Sequence, residues 1–190
     1  LKQHMKDGKL DEEKVKQTVT TAIRMLDNVI NINYYSVETS ENSNMKHRPI
    51  GLGLMGFQDT LYMQNISYNS QEAVDFADRS MELISYYAIN ASSDLAKERG
   101  TYKTYEGSLW SQGIFPKDSI NILKENRGED YINVDETETL DWEELRKKVK
   151  KHGMRNSNVM AIAPTATISN ITGVTQSLSL IHISEPTRLA

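Results

Sequence analysis

Residues 158–169 read Asn-Val-Met-Ala-Ile-Ala-Pro-Thr-Ala-Thr-Ile-Ser. The mostly apolar run at 158–163 predicts a strand buried on both faces, as in a parallel sheet covered by helices. Pro164 ends that strand, and a Thr/Ser-rich turn leads into a helix predicted from about Ile168. A strand, a turn and a helix in this order indicate an α/β fold.

The turn after this strand carries the most promising chemistry in the chain. The first turn of a helix leaves backbone N–H groups unpaired, and the helix dipole makes that end positive, so phosphate binds there readily. Thr165, Thr167 and Ser169 would add hydroxyl donors. Ser and Thr also cap helices where no ligand is bound, and the residues alone leave that plain capping role open.

Apolar spacing and capping residues predict five further helices, while the polar residues 36–47 are predicted to form a loop. The predicted helices cover residues 11–32, 54–63, 70–99, 116–127 and 141–152. The predicted buried stripe of the first helix is Val15, Val19, Ala22, Leu26 and Val29. The helix at 70–99 would be roughly 45 Å long, a length typical of a larger α/β protein.

Composition narrows the possible functions. The chain has 190 residues, a net charge of −4 and no cysteine, so it forms no disulfide and supplies no thiolate for catalysis or metal binding. The acidic balance disfavours nucleic acid as a partner, and the basic run at 146–151 is typical of a solvated helix end. The four histidines are too scattered for a metal site. No membrane span or signal peptide is predicted, which favours a cytoplasmic location.

Residues 51–56 read Gly-Leu-Gly-Leu-Met-Gly, a literal dinucleotide-binding pattern. That fingerprint needs a buried strand before it and an acidic residue about 20 positions further on, at a strand end. The preceding residues 46–50 are not a buried strand, and Glu72 and Asp75 fall within a predicted helix. An NAD-dependent Rossmann oxidoreductase is therefore disfavoured, and we interpret these glycines as allowing a helix to approach a neighbouring backbone closely.

Three long stretches of the sequence read RMLDNVININYY at 24–35, HRPIGLGLMGFQD at 47–59 and MRNSNVMAIAPTATISN at 154–170. Together they resemble the large (α) subunit of class I ribonucleotide reductase. Shorter stretches at 76–82 and 107–113 also look like this family, and the likeness runs in order from about residue 8 to residue 177.

The resemblance implies a fragment of the family's ten-stranded α/β barrel, mostly helical in this segment. It implies the radical reduction of ribonucleoside diphosphates to deoxyribonucleoside diphosphates for DNA synthesis. It also implies that a loop in this chain receives the substrate's diphosphate on its backbone amides. The residues that match this loop are Thr165, Ala166, Thr167, Ile168 and Ser169. No catalytic residue and no metal ligand is expected in this chain, because the family's radical and redox cysteines match no position here.

The same resemblance implies the partners and cofactors of the parent protein. These are a radical from a small (β) metal-containing subunit, ATP and dNTP effectors, and a thioredoxin-type reductant. A second copy of the large subunit is expected as a homodimer partner, with no nucleic acid and no membrane.

The domain assignment separates residues 1–177, a partial barrel domain, from residues 178–190. The family would continue after Ser177 with an Ile-Glu-Pro run, whereas this chain reads LSLIHISEPTRLA. Residues 178–190 are therefore predicted to be a non-native tail. The missing initiator Met predicts a piece of a longer chain. That piece is expected to be inactive alone, because the family's catalytic cysteines match no position in it. Two alternatives stay open: the cobalamin-dependent reductase class, which more often has Gly where Ala166 stands, and a helical interaction module without a ligand.

Overall fold

A computed structural model describes residues 1–132 and 134–176 of the chain. Within those ranges the structure is mainly helical, with one short antiparallel hairpin formed by β1 (Met5–Lys6) and β2 (Lys9–Leu10). The α-helices are α1 (Glu12–Ile32), α2 (Glu38–His47), α3 (Phe57–Met63), α4 (Gln71–Arg99), α5 (Ser119–Arg127), α6 (Trp142–His152) and α7 (Ile168–Thr172). Single 3₁₀ turns cover Lys2–His4, Pro116–Asp118 and Glu129–Tyr131.

Three helices begin at the capping residues that were predicted from the sequence. Asp11, Ser70 and Asp141 precede α1, α4 and α6. Each side chain accepts a hydrogen bond from the backbone N–H three residues further on, at 3.0, 3.3 and 2.9 Å respectively. These bonds satisfy donors that have no partner inside the helix, so local sequence fixes where each helix begins.

The central pair of helices is α1 and α4, and α6 also packs on α4. Small residues along α4, including Ala88 and Ala91, are buried and allow close packing of the helices. Ile23 of α1 and Leu145 of α6 are almost fully buried against this pair. The core therefore lies mainly between helices, and the segments 50–56 and 154–160 add to it the buried side chains Ile50, Leu54, Met154 and Val159.

The buried stripe of α1 differs from the predicted one. Val15 and Val19 are buried as expected, but the stripe continues through Ile23, Asp27 and Ile30. Val29 is 50% exposed. The prediction of this face was wrong because it considered only apolar residues. Asp27 is charged, but its ion pairs allow it to be buried in the core.

The prediction of a loop at 36–47 is wrong, since Glu38–His47 forms α2. None of its residues is buried, so it has no apolar stripe for the sequence to display. The helix ends at Arg48, a non-glycine residue in the left-handed region with φ 48°. The side chain of Arg48 is buried and ion-paired, and this tertiary anchor fixes the end of a helix that has little propensity of its own.

The strand predicted at 158–163 is only partly present. Three backbone hydrogen bonds of 2.9–3.1 Å join residues 50–52 to residues 158–161 in parallel, around a bridge between Leu52 and Met160. Val159 is buried, but residues 161–163 are exposed. Burial on both faces is therefore wrong for the second half of the segment. Among the described residues, only 50–52 pair with it, and a strand is covered on both sides only where further strands and helices flank it.

Replacing Asp141 with alanine tests the capping assignment. The expected loss is about 1 kcal/mol of stability, because the N–H of Glu144 loses its acceptor at the start of α6. Amide hydrogen exchange should speed up in the first turn of α6 and not at its last turn. Asp141→Asn keeps an acceptor and should retain most of the protection. Equal exchange in both variants and the parent chain would show that the cap does not stabilise α6.

Candidate functional site

Gly51 and Gly53 determine how closely residues 50–53 approach Ala161. A Cβ added at Gly51 would lie 2.7 Å from the Cβ of Ala161, and one added at Gly53 would lie 2.9 Å from its carbonyl oxygen. Neither contact is sterically tolerable, so the pairing needs glycine at both places. The prediction that these glycines allow close approach to a neighbouring backbone is confirmed, but the prediction that a helix makes this approach is wrong, because residues 50–52 are extended and α3 begins at Phe57.

After Ala161 the chain leaves this pairing and forms an exposed turn that enters α7. Two backbone hydrogen bonds close the turn, from the N–H of Ser169 to the carbonyl of Thr165 at 3.0 Å and from that of Asn170 to Thr167 at 3.2 Å. The helix ends at Gly173, which adopts a left-handed conformation with φ 64°. The order of extended segment, turn and helix is the one predicted from the sequence.

Three consecutive N–H groups of this turn, those of Ala166, Thr167 and Ile168, donate no hydrogen bond to an acceptor within residues 1–132 and 134–176. All three residues are exposed, and the side chain of Thr167 does not cap α7. Exposed N–H groups without a partner in the described ranges are the kind of donors that bind anions at helix starts.

Ser169 contributes in a different way. It is 1% exposed, and its hydroxyl donates to the carbonyl of Ala166 at 3.3 Å. Its N–H is bonded to Thr165, as described above. Both donors of Ser169 are thus used inside the turn, so this residue shapes the turn while the three preceding residues present unused donors.

A buried ionic cluster around Asp27 holds the start of the 158–161 segment in place. Asp27 is fully buried and accepts from Arg48 Nε at 2.8 Å, from Arg99 Nη1 at 3.0 Å and from Asn156 Nδ2 at 3.1 Å. Arg155 Nε lies 3.4 Å from Asp27 Oδ1. One carboxylate therefore joins α1 to the end of α2, the end of α4 and the residues that lead into the extended segment.

Asn156 extends this cluster with its remaining polar groups. Its Nδ2 also donates to the carbonyl of Arg48 at 3.1 Å, and its Oδ1 accepts from the hydroxyl of Ser92 at 2.9 Å. The backbone N–H of Asn156 donates to the same Ser92 oxygen at 3.1 Å. Satisfied buried polar groups fix one geometry, because each alternative arrangement would leave a group without a partner.

The electrostatics of the cluster favour an ionised Asp27. Burial by itself raises its pKa, but the hydrogen bond and charge of Arg48, with the charge of Arg155, hold the pKa of Asp27 below its ordinary value. Burial and the neighbouring charge of Arg48 lower the pKa of Arg155. The cluster is thus an anion surrounded by cations, which is the arrangement that tolerates burial of charge.

Sequence reasoning missed this cluster, although one signal was present. Asp27 follows Val15, Val19 and Ile23 at helical spacing, so it occupies the apolar face of α1. A lone carboxylate on such a face indicates a buried cationic partner. Which arginines supply the positive charge could not be read from spacing, since Arg48 and Arg155 are distant in sequence.

In the described ranges, no group of three or more His, Cys, Asp or Glu residues is arranged to hold a metal ion. No helix of the described part is long and apolar enough to cross a membrane.

A mainly helical segment with one parallel pairing and a strand–turn–helix unit is consistent with part of an α/β barrel, and comparison with known proteins supplies its family. The family description "Ribonucleotide reductase, barrel domain" matches residues 1–182. The chain therefore belongs to the ribonucleotide reductase barrel-domain family.

Curated relatives agree with that assignment. The chain is 58% identical over 182 residues to the ribonucleoside-diphosphate reductase subunit alpha of Chlamydia pneumoniae. It is 43% identical over 171 residues to the subunit of the same name from Helicobacter pylori. It is 41% identical over 172 residues to the ribonucleoside-diphosphate reductase large subunit of Caenorhabditis elegans. These matches cover 96%, 90% and 90% of the chain but only 17%, 21% and 20% of the relatives.

Proposed function

We propose that this chain is part of the large subunit of a class I ribonucleoside-diphosphate reductase, and that the turn at residues 165–169 binds the diphosphate of its substrate, with Ser169 shaping the turn and not contacting the phosphate. The names of the relatives support the first part. The observation that carries the second is the row of unused, exposed N–H groups at Ala166, Thr167 and Ile168.

The chemistry of this turn suits a substrate that must bind and then leave as product. Backbone N–H groups give a fixed set of donors for phosphate oxygens without adding a mobile charge. The segment before the turn is held by its pairing to residues 50–52, so the donors do not have to be ordered when the anion arrives. Thr167 adds a hydroxyl beside these amides.

The remaining chemistry is assigned to other parts of the proposed enzyme. This chain contains no cysteine, so it contributes no thiol to ribose reduction. Under the proposal, a metal-containing small subunit supplies the radical and a thioredoxin-type protein supplies the reducing equivalents. ATP and dNTP act as effectors, and the large subunit works as a homodimer in the cytoplasm.

A hybrid subunit allows the proposal to be tested with these residues. In it, residues 1–176 of this chain replace the matching segment of the Chlamydia pneumoniae subunit, to which the chain is 58% identical. The assay measures reduction of ribonucleoside diphosphates with that relative's small subunit. The unsubstituted hybrid must first reduce these substrates at a rate comparable with the parent.

In this hybrid, Ala166→Pro should raise the KM for every ribonucleoside diphosphate about tenfold, because it deletes an N–H that would meet a charged oxygen. Thr167→Ala should raise the KM only several-fold, the effect of losing about 1 kcal/mol of hydroxyl hydrogen bonding. Ala166→Ser keeps the backbone donor and should leave the KM near that of the hybrid. An unchanged KM in a folded Ala166→Pro variant would rule out this turn as the phosphate site.

A further inference from the structure

The residues that follow α7 are fastened to the start of α3 by a reciprocal set of hydrogen bonds. Thr175 donates to Asp59 Oδ2 from its N–H at 2.7 Å and from its hydroxyl at 3.1 Å. Its hydroxyl oxygen accepts from the N–H of Asp59 at 3.3 Å, and its carbonyl accepts from the N–H of Gly56 at 2.8 Å.

This arrangement is a capping box built from distant parts of the chain. In an ordinary capping box, the residue before the helix supplies the hydroxyl, and the acidic residue three positions on reaches back to its N–H. Gly56 is the residue before α3, and it has no side chain that could form this bond. Thr175, 116 residues from Asp59 in sequence, takes over the role.

The backbone conformation at the start of α3 favours glycine. The φ of Gly56 is +76°, in the left-handed region that glycine adopts without strain. A Cβ there would make only ordinary contacts, at 3.4 Å from the Cβ of Val174 and 3.5 Å from Asp59 Oδ2.

Both ends of the candidate phosphate turn are therefore anchored to one stretch of chain. Residues 158–161 pair with 50–52 before the turn, and Thr175 is held by residues 56–59 after it. Between these anchors α7 has five residues, too few to be stable without tertiary support. The two anchors therefore help to fix the position of the turn.

We infer that Asp59 is a positioning residue for substrate binding, acting through Thr175 to hold the 164–173 turn in register with the platform at 50–59. This inference rests on the proposed phosphate-binding function of that turn. Asp59 does not touch the turn's unused donors, since its partner Thr175 lies beyond α7. Its effect should therefore be to keep these donors aligned.

The test uses the hybrid subunit and steady-state kinetics. Asp59→Ala should raise the KM for ribonucleoside diphosphates about threefold to tenfold, with a smaller change in kcat, because two hydrogen bonds to a carboxylate are lost at the anchor. Thr175→Val removes the hydroxyl and should act in the same direction, whereas Thr175→Ser should restore the KM of the hybrid. Asp75→Ala removes an acidic residue of α4 bonded to Gln71 and serves as the matched control, with no expected change in KM.

A double variant and hydrogen exchange distinguish a positioning role of Asp59 from a merely structural one. If Asp59 acts through the turn, adding Asp59→Ala to Ala166→Pro should raise the KM by less than the product of the single effects. Hydrogen exchange should speed up at residues 164–176 and stay unchanged in the central part of α4. Effects that multiply fully, or exchange that rises throughout the barrel segment, would overturn the inference.

Two failures are distinguishable. If Ala166→Pro leaves the KM unchanged, the phosphate assignment itself is wrong. If Ala166→Pro raises the KM but Asp59→Ala and Thr175→Val do not, the turn binds phosphate and the positioning role of Asp59 is wrong. Should Asp59→Ala fail to fold, Thr175→Val against Thr175→Ser decides the question alone.

Discussion

Replacing Asp27 with alanine should lower the stability of the α1–α4 core by about 3–5 kcal/mol, the usual cost of removing one partner from a buried ion pair. The loss is large because Arg48 is itself buried, at 4% exposure, and would keep its charge without a counterion. The carboxylate of Asp27 also accepts from Arg99 and Asn156, so several donors lose an acceptor in one substitution.

Native-state hydrogen exchange in the hybrid subunit measures this effect across α1 and α4. A tenfold loss of protection corresponds to about 1.4 kcal/mol, so a fall of roughly a hundredfold or more is expected. Asp94→Ala is the matched control, because Asp94 pairs with Lys148 at 2.7 Å but its side chain is 51% exposed. Exposed pairs contribute about 0–1 kcal/mol. Equal losses of protection for Asp27→Ala and Asp94→Ala would show that the buried cluster stabilises the core no more than an exposed ion pair does.

The same carboxylate predicts an acid-labile core. Its folded-state pKa lies below the ordinary value, despite burial that raises it, because Arg48 and Arg155 favour the charged form. A lowered folded-state pKa stabilises the fold fully above the unfolded-state pKa, about 3.9 for Asp. That contribution is lost as the pH falls through the folded-state pKa. Asp27→Asn should therefore be less stable at neutral pH and show a smaller further loss below about pH 4. The same acid dependence in both proteins would contradict this assignment.

Signals between neighbouring residues predict the helices and the turn. Asp11, Ser70 and Asp141 begin helices because the capping bond reaches only three residues along the chain. The 164–169 turn was recognisable for the same reason, since its strand, proline and hydroxyl residues are contiguous. Interactions between residues a few positions apart can be predicted from the sequence without a structure.

Interactions across long sequence separations were not readable. The polar helix α2 has no buried stripe, so its end depends on Arg48 reaching Asp27, 21 residues earlier. Thr175 and Asp59 are separated by 116 residues, and neither is unusual in its own neighbourhood. Such pairs are determined by tertiary packing. A single sequence contains both partners but does not show that they pair.

The close pairing of residues 50–53 with residues 158–161 can be tested further, because its two glycine contacts differ in kind. Gly51→Ala would place a Cβ 2.7 Å from the Cβ of Ala161, whereas Gly53→Ala would place one 2.9 Å from the carbonyl oxygen of Ala161. Each substitution should cost about 1–3 kcal/mol, since the extra atom must push two paired backbones apart. Hydrogen exchange at Leu52 and Ala161, whose N–H groups join the two segments, reports the loss directly.

Ala161→Gly should rescue one of these variants and not the other. Removing the Cβ of Ala161 leaves the new Cβ at position 51 with nothing nearer than the Ala161 nitrogen at 3.7 Å, an ordinary contact. The carbonyl oxygen that opposes position 53 remains in place. The Gly51→Ala and Ala161→Gly pair should therefore show a coupling energy of about 1–2 kcal/mol, against nearly zero for the Gly53→Ala pair. Equal coupling for both pairs, or none for either, would mean that residues 50–53 and 158–161 are not held at the spacing seen here. The turn that follows would then lack the platform on which its proposed phosphate-binding role depends.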